Sequence, residues 1–532
     1  MDQRTEAPRG CKSFLGRIRE QMMNSGVPVW VRLSSEAAEV WDKATSDTSE
    51  LDADTLIKTF CSKLKDYSKI YISCPSEELT ARLKQHLPDL IVMSWADDLT
   101  LLKKIFAENS DADMVVEING IFPLLSMASS SKLWQLQNKY SADYAYSEIH
   151  PPGTIPVFWG RDFLEQWELN EFTEFPIEND LSQFVEKNIN KFHVEVAYAD
   201  PDIRLLRLDF SCSSKRSMLE TLQFLNELSD EEEILSAIEK AVQKNPVLLR
   251  QLPGYLELEF SSNCEYGCTF CLRQYQPQPS KQLEQNVFAK LIEQLDLLKA
   301  PIGLCVGGMG EPLEHESALP YLQKLMAHPQ IHTLVLETNG SRLDTILPLA
   351  DSADIQKLRV IVNINSLQNY TLLQVPPSGI ALGDIERHVK AFAEKLKDSS
   401  KSQMYLQMLK IIDNETEVDE IYAKCDELGV QFLFQKYNSY AGQMEEKRVS
   451  DMTPLERFPC WHLRRDLVIR ADGSVPFCKQ DMQGEKNLNN IQQSSLAQIW
   501  ANQNEAWARH YNKDYSDFSL CDKCDEYYTF NL

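Results

Sequence analysis

No stretch of this 532-residue chain reaches the roughly 18–20 uninterrupted apolar residues that a bilayer-spanning helix requires, so no membrane association is expected. The first residues, Met1-Asp2-Gln3-Arg4-Thr5-Glu6, have neither the basic stretch nor the apolar run of an export signal, and a cytoplasmic location is expected. Positive charge is scarce: 54 Lys and Arg against 79 Asp and Glu give a net charge of −25. Such a chain repels a phosphate backbone at long range, so nucleic acid is not an expected partner. With only 19 Gly and 24 Pro, collagen-like and low-complexity architectures are excluded. What remains, 43% hydrophobic and 25% charged residues, is ordinary globular composition over a length that calls for more than one domain.

Cysteine is the exception. Of 13 cysteines, Cys11, Cys61, Cys74, Cys212, Cys305 and Cys425 are scattered singly. Cys264, Cys268 and Cys271 form one group, Cys521 and Cys524 another, and Cys460 and Cys478 flank a short Gly-containing segment. Without an export signal these are not expected to be a disulfide framework. They point to metal chemistry plus ordinary buried thiols.

An α/β fold is expected throughout. Up to about Ser229, short β-rich runs (Val27–Val31, Lys69–Ser73, Leu90–Met93, Asp113–Ile118, and Leu205–Phe210) alternate with helical patterns, as in an open α/β sheet. The run Asp230-Glu231-Glu232-Glu233 reads as a helix N-terminus within a connector over 230–251. From Tyr255 a second series begins. Strands are expected at 255–260, 302–306, 333–337, 359–364, 404–409 and 431–435, separated by helices, as a partial (β/α)6 barrel over 252–450. A small Cys-rich extension follows over 451–532.

The loop Asn263-Cys264-Glu265-Tyr266-Gly267-Cys268-Thr269-Phe270-Cys271 falls at the C-terminal end of the first barrel strand, the face where barrel active sites lie. Three thiolates at C-x3-C-x2-C spacing can hold three irons of a [4Fe–4S] cluster and leave one iron open. A zinc site with a remote fourth ligand is the competing reading. At the next strand end stands Gly307-Gly308-Met309-Gly310-Glu311-Pro312, where glycines permit close backbone approach. Together these motifs resemble the radical S-adenosylmethionine (SAM) superfamily, with Phe270 at its aromatic position. The resemblance implies that the open iron takes the amino and carboxylate groups of SAM. It also implies one-electron cleavage of SAM to methionine and a 5′-deoxyadenosyl radical, which abstracts a hydrogen atom from substrate. Gly308, Gly310, Glu311 and Pro312 are expected at the SAM amino group. At later strand ends, Asn339, Asn363 and Ser366 are expected to reach the ribose or carboxylate, with Gln407 and Lys410 as weaker pocket candidates.

In the extension, Cys460 and Gly473 are separated by twelve residues and Gly473 and Cys478 by four. The Asp472-Gly473 pair predicts a hairpin turn that brings Cys460 and Cys478 together, with Cys521 and Cys524 completing four ligands for zinc or a fully ligated cluster. This resembles the SPASM and twitch extensions of radical SAM enzymes, and implies one auxiliary [4Fe–4S] cluster. In sulfatase-maturing members a catalytic carboxylate directly follows the second cluster cysteine. Lys479 stands there now, with Asp481 and His462 nearby.

The front part also carries a resemblance. Ala112 to Leu125, with Ser141–Tyr146 and Pro151-Pro152-Gly153, is similar to sugar-activating nucleotidyltransferases. That family's metal-binding Asp is replaced by Ile121, and its phosphate loop is missing after Val29-Trp30-Val31-Arg32-Leu33, which implies a degenerate domain over 1–229. The three-part layout resembles the spiro-SPASM family. The expected function is therefore a radical SAM enzyme with one SAM-binding and one auxiliary cluster, acting on a peptide or small molecule. An external donor such as flavodoxin or ferredoxin would supply electrons. The alternatives are a nucleotidyltransferase acting on a sugar and a zinc-stabilised binding protein.

Overall fold

The computed structural model describes residues 26–46, 51–94, 96–170, 172, 180–228, 233–275, 279–396, 403–516 and 518–529. Cys11, the first six residues and the acidic run 230–232 lie outside these. The chain divides into two compact units, Met1–Leu249 and Arg250–Leu532. The helix Ile234–Lys244 falls in the first unit, with Glu233 at its N-cap.

The first unit is built on a seven-stranded sheet in the order β3-β2-β1-β4-β6-β5-β7. Its strands are β1 Val29–Arg32, β2 Ile70–Ser73, β3 Ile91–Val92, β4 Met114–Ile118, β5 Tyr144–Tyr146, β6 Val157–Gly160 and β7 Val194–Val196. β1, β2, β3 and β4 are parallel neighbours, while β6 runs antiparallel to β4 and β5. β1, β2 and β4 are buried along their full length, which their Val/Ile-rich sequences allow. The strand expected at Leu205–Phe210 does not form. Arg204–Leu206 is a 3-10 turn, and Arg207 takes a left-handed conformation. Leu208 and Phe210 are buried without a ladder while Leu205 is exposed, so the alternating leucines mark packing and not a strand.

The second unit carries a seven-stranded, all-parallel sheet in the order β13-β12-β11-β10-β9-β8-β14. The strands are β8 Tyr255–Leu258, β9 Ile302–Val306, β10 Ile331–Thr338, β11 Leu358–Asn363, β12 Met404–Lys410, β13 Gln431–Lys436 and β14 Asp466–Ile469. Six are those expected. The seventh comes from the Cys-rich extension and pairs with β8, so extension and barrel share one sheet.

Strand parity sorts the two faces. Leu256, Leu258, Leu304, Val306, Leu334, Leu336, Val360 and Val362 pack outward against helices such as Gln285–Leu295, which buries Val287, Phe288, Leu291 and Leu295 along one stripe. Each such side chain contributes roughly 1.5–3 kcal/mol by burial. The opposite face is different. Tyr255, Cys305, Val335 and Ile361 form a small separate cluster, and polar side chains fill the remaining inward positions.

The chain does turn at Asp472-Gly473, with Gly473 N–H donating to the Arg470 carbonyl at 2.8 Å. The returning strand, β15 Ser474–Pro476, pairs instead with β16 Asn487–Asn490, because β14 is already engaged by β8. The C-terminal segment is pinned to the open edge of the sheet. Lys436, at the end of β13, meets Asp525 at 2.9 Å and Glu526 at 2.6 Å, and Arg448 meets Asp525 at 3.0 Å.

Candidate iron–sulfur and SAM site

The three-cysteine loop leaves the end of β8 and is clamped from two sides. On one side Gly267 and Thr269 N–H groups donate to the carbonyls of Val375 and Leu373 at 3.0 and 2.9 Å. The Tyr266 and Tyr370 hydroxyls lie 2.9 Å apart beside them. On the other side lies the glycine segment after β9. A side chain on Gly310 would collide with the carbonyls of Ser261 and Asn263 at 2.2 and 2.3 Å, and Glu311 N–H donates to the Asn263 carbonyl at 2.7 Å. Gly308 has φ +108°, a backbone conformation that disfavours any side chain.

Glu311 joins the ends of β9 and β10. Its buried carboxylate accepts from the Thr338 hydroxyl at 2.6 Å, Asn339 N–H at 2.8 Å and Leu313 N–H at 3.1 Å. Pro312 starts the short turn behind it. The Asn339 amide nitrogen lies 3.9 Å from Cys264 Sγ. Burial pushes the Cys264 thiol up to about 12. Cys268 is raised by burial, then by the proximity of Cys271 and Cys264, so the three sulfurs share one small volume.

The later candidates divide. Asn363 faces inward, where its Oδ1 accepts from Gln407 at 2.8 Å; the same Gln407 amide reaches Gln435 at 3.1 Å. Ser366 is fully buried and its hydroxyl donates to Glu417 at 2.7 Å, so it organises the loop after β11. Lys410 stacks near the Phe434 ring.

The four extension cysteines meet. Cys460, Cys478, Cys521 and Cys524 line one pocket, together with Arg457, Lys479 and Gln480. The Cys478 thiol is held well above its usual range by burial, and then by Cys524, Cys521 and Cys460. Arg457 supports the wall, donating to the Cys521 carbonyl and stacking 3.8 Å from the Tyr515 ring centroid. His462 and Asp466 pair with each other at 2.6 Å, and the Asp481 carboxylate accepts from Glu485 N–H at 2.8 Å, so both serve the local fold.

The four thiols stand around a void, not around a point. Four thiolates on one zinc would lie about 3.8 Å apart, given Zn–S near 2.3 Å. Among the described residues no three His, Cys, Asp or Glu side chains converge on a single ion. Gln480 completes the fit. It is 3% exposed, lines the cavity, and neither atom of its amide has a hydrogen-bond partner among the described residues. A buried amide without a partner costs roughly 1–3 kcal/mol, and a sulfur-rich cluster in the cavity would relieve that cost.

No motif marks Glu257 or Tyr440, whereas Glu337 opens the Glu337-Thr338-Asn339-Gly340 strand end, whose polar groups are candidates for the ribose or carboxylate of SAM. Glu257 and Glu337 share the parity of Cys305 and Val335 and therefore face inward. The only available sign was a charged residue in an otherwise apolar strand. Lys479 joins them from the extension: burial opposes its charge, but Glu257, Glu526, Asp466 and Glu337 outweigh it and keep the ammonium protonated.

These two cysteine sets coincide with two family matches. Residues 258–425 match the Radical SAM superfamily, and residues 460–525 match SPASM, an iron-sulfur cluster-binding domain. The chain is an enzyme that carries a radical SAM domain and a SPASM domain. Its cofactors are SAM and [4Fe–4S] clusters, the second in the SPASM domain. It is 27% identical over 361 residues to an uncharacterized protein of Treponema pallidum, spanning 65% of this chain and 97% of that protein. It is 23% identical over 326 residues to the tungsten-containing aldehyde ferredoxin oxidoreductase cofactor-modifying protein of Pyrococcus furiosus, spanning 51% and 88%. The crystal structure of Streptococcus suis SuiB bound to S-adenosylmethionine is similar at 14% identity, covering 58% of this chain and 80% of that one with a TM-score of 0.40. Among the described residues no helix is long and apolar enough to cross a membrane.

In the first unit the crevice lies where the strand order reverses, between the C-terminal ends of β1 and β4, the usual ligand position in open α/β sheets. Here Arg32 fills it. Its guanidinium meets Glu117 at 2.8 Å and Asp98 at 2.9 Å, and also pairs with Asp180. Trp159 Nε1 donates to Glu117 at 2.6 Å and the Asn119 amide to Asp180 at 2.9 Å.

Proposed function

We propose that the second unit removes a hydrogen atom from a substrate held on the inner face of its partial barrel. When bound, the cluster and SAM supply one-electron cleavage of SAM to methionine and a 5′-deoxyadenosyl radical. The observation that carries this reading is the convergence of Cys264, Cys268 and Cys271 with Gly308–Glu311 and Asn339 at the ends of β8, β9 and β10. The three thiolates would hold three irons and leave the fourth for SAM. The backbone of the Gly308–Gly310 segment would receive the SAM amino group, with Glu311 and Pro312 fixing that turn, and Asn339 and Asn363 would supply polar contacts further along.

Cys460, Cys478, Cys521 and Cys524 would occupy all four positions of the auxiliary cluster. They leave no vacancy for SAM, so its task is electron transfer and shaping of the pocket. A flavodoxin- or ferredoxin-like donor would supply the reducing electron, and the enzyme would work in the cytoplasm on a peptide or small molecule. The Arg32 cluster supports reading the first unit as a degenerate nucleotidyltransferase-like scaffold, in keeping with a spiro-SPASM layout.

The test is anaerobic reconstitution of the full chain. About eight irons per chain and dithionite-dependent formation of 5′-deoxyadenosine from SAM are expected. Iron equivalent to one cluster, or zinc without iron and sulfide, would overturn the assignment.

A further inference from the structure

We infer that Arg457 donates a hydrogen bond from its Nε–H to the auxiliary cluster and, as a cation, raises that cluster's reduction potential. This rests on the proposed reading of Cys460, Cys478, Cys521 and Cys524 as its ligands, and names the residue that tunes it.

Arg457 lines the four-cysteine pocket and stands beside two of the proposed ligands: it precedes Cys460 by three residues, and its guanidinium donates to the Cys521 carbonyl. Its plane is fixed by stacking, with the Tyr515 ring centroid at 3.8 Å and that of Tyr527 at 5.1 Å. Its rotation within that plane is fixed by the two terminal nitrogens, which donate to the carbonyls of Cys521 and, at 3.4 Å, Asp522. The N–H groups of a guanidinium form a rigid planar fork, so these contacts also set the direction of Nε–H. That nitrogen is buried and has no hydrogen-bond partner among the described residues.

The charge of Arg457 matters as much as its geometry. Its hydrogen bonds go to carbonyl oxygens, and it forms no ion pair with a carboxylate among the described residues. The other charged groups of the wall have neighbours of opposite sign. Glu526 meets Lys436 at 2.6 Å, and Lys479 has Glu257 and Glu526 as carboxylate neighbours. Thiolate ligands give a cluster a net negative charge, and one-electron reduction adds to it. A cation with an unused, pre-aimed donor therefore stabilises the reduced form more than the oxidised one, through a charge-assisted hydrogen bond to sulfur. An arginine that served the wall alone would have its buried donors satisfied by protein oxygens.

The experiment uses the full chain, reconstituted anaerobically, in a Cys268→Ala background so that the extension cluster is read alone. Potentiometric titration with dithionite, followed by electron paramagnetic resonance, gives its midpoint. Arg457→Met should lower the reduced-to-oxidised ratio at a given potential at least tenfold, which is about 59 mV for one electron. Arg457→Lys keeps the charge without the planar fork, and its midpoint should fall between those of Arg457 and Arg457→Met. An arginine that only supports the wall would leave the midpoint unmoved in any variant that retains about four irons. A midpoint unchanged in Arg457→Met, or equally low in Arg457→Lys, would overturn the inference. A second measurement decides even if a variant fails to fold. Protein grown with arginine carrying nitrogen-15 at Nε is reduced and read by pulsed electron paramagnetic resonance. A nitrogen-15 coupling to the cluster spin is expected in the parent and should disappear in Arg457→Lys. No coupling in the parent, or a coupling that persists in Arg457→Lys, would overturn the inference. Iron and sulfide are counted first. A parent protein without them would defeat the ligand reading and the inference together, whereas a normal cluster without the coupling defeats the inference alone.

Discussion

Arg32 in the first unit and Lys479 in the second are both cations surrounded by carboxylates, and they are satisfied very differently. Arg32 offers a planar fork of donors, and Glu117, Asp98 and Asp180 all take hydrogen bonds or ion pairs from it. Burial alone would lower its pKa, but the three carboxylates outweigh that and hold it charged. Trp159 and Asn119 then cap the carboxylates from outside. Each of the three carboxylates is paired with Arg32. Around Lys479 the donor is a single ammonium, and the Glu337 carboxylate accepts no hydrogen bond from any described residue. A closed network like that around Arg32 stabilises a fold.

The comparison makes its strongest claim about which unit does chemistry. Cys268→Ala should abolish dithionite-dependent 5′-deoxyadenosine formation, while about four irons per chain persist in the extension, because the two ligand sets are separate. Iron analysis with product quantification checks both halves. Cleavage at the wild-type rate would defeat the site assignment. Arg32→Met should do the reverse. It leaves buried carboxylates without their cation and should lower the unfolding free energy of the first unit by about 3–5 kcal/mol, with SAM cleavage unchanged. Denaturant unfolding followed by intrinsic fluorescence would measure this. A loss below about 1 kcal/mol would mean that the Arg32 cluster is not the self-satisfied network described.

Much of the second unit was legible in the sequence because its strands are short apolar runs bounded by helices with a clear 3.6-residue stripe. The C-x3-C-x2-C loop and the glycine segment were legible because both respond to constraints of spacing and backbone clearance. Three things were not. β14 was hidden because pairing with β8 spans more than two hundred residues and leaves no local trace. The clamp of Gly267 and Thr269 on residues 373–375 consists of backbone hydrogen bonds, which carry no side-chain signature. The inward position of Glu257 and Glu337 depends on strand parity in the folded sheet, which a one-residue change of register would reverse. In the first unit, Arg32 stood in the sequence only as the residue after a strand; its three partners come from distant segments.

A smaller effect is a dependence on pH, which Glu337 shares with the buried Glu117 beside Arg32, whose carboxyl burial also pushes up to about 7. The Glu337 carboxyl is raised from 4.5 to about 7 in the folded chain. A raised acid binds its proton more tightly when folded, so its stabilising contribution is full below about pH 4.5 and is lost as pH rises through about 7. Glu337→Gln should remove that loss. The variant's denaturant midpoint relative to wild type should therefore rise between pH 5 and pH 8. A difference that stays flat over this range would show that the Glu337 carboxyl is compensated in the folded chain.

The smallest expected effect concerns Gln480, which extends the comparison from carboxylates to a neutral amide. Among the described residues neither amide atom has a partner although the side chain is buried, and it lines the four-cysteine pocket. If the N–H donates to a sulfur of the auxiliary cluster, it stabilises the reduced, more negative form, since hydrogen bonds to cluster sulfurs raise the reduction potential. Gln480→Leu keeps the bulk and removes the donor. The midpoint of the extension cluster should then fall, by no more than about tenfold in the reduced-to-oxidised ratio, or about 59 mV for one electron. Potentiometric titration followed by electron paramagnetic resonance reads this directly, in a Cys268→Ala background where the barrel cluster does not interfere. An unchanged midpoint in a variant that retains four irons would mean the amide points away from the cluster, leaving it a buried polar group with no ligand to serve.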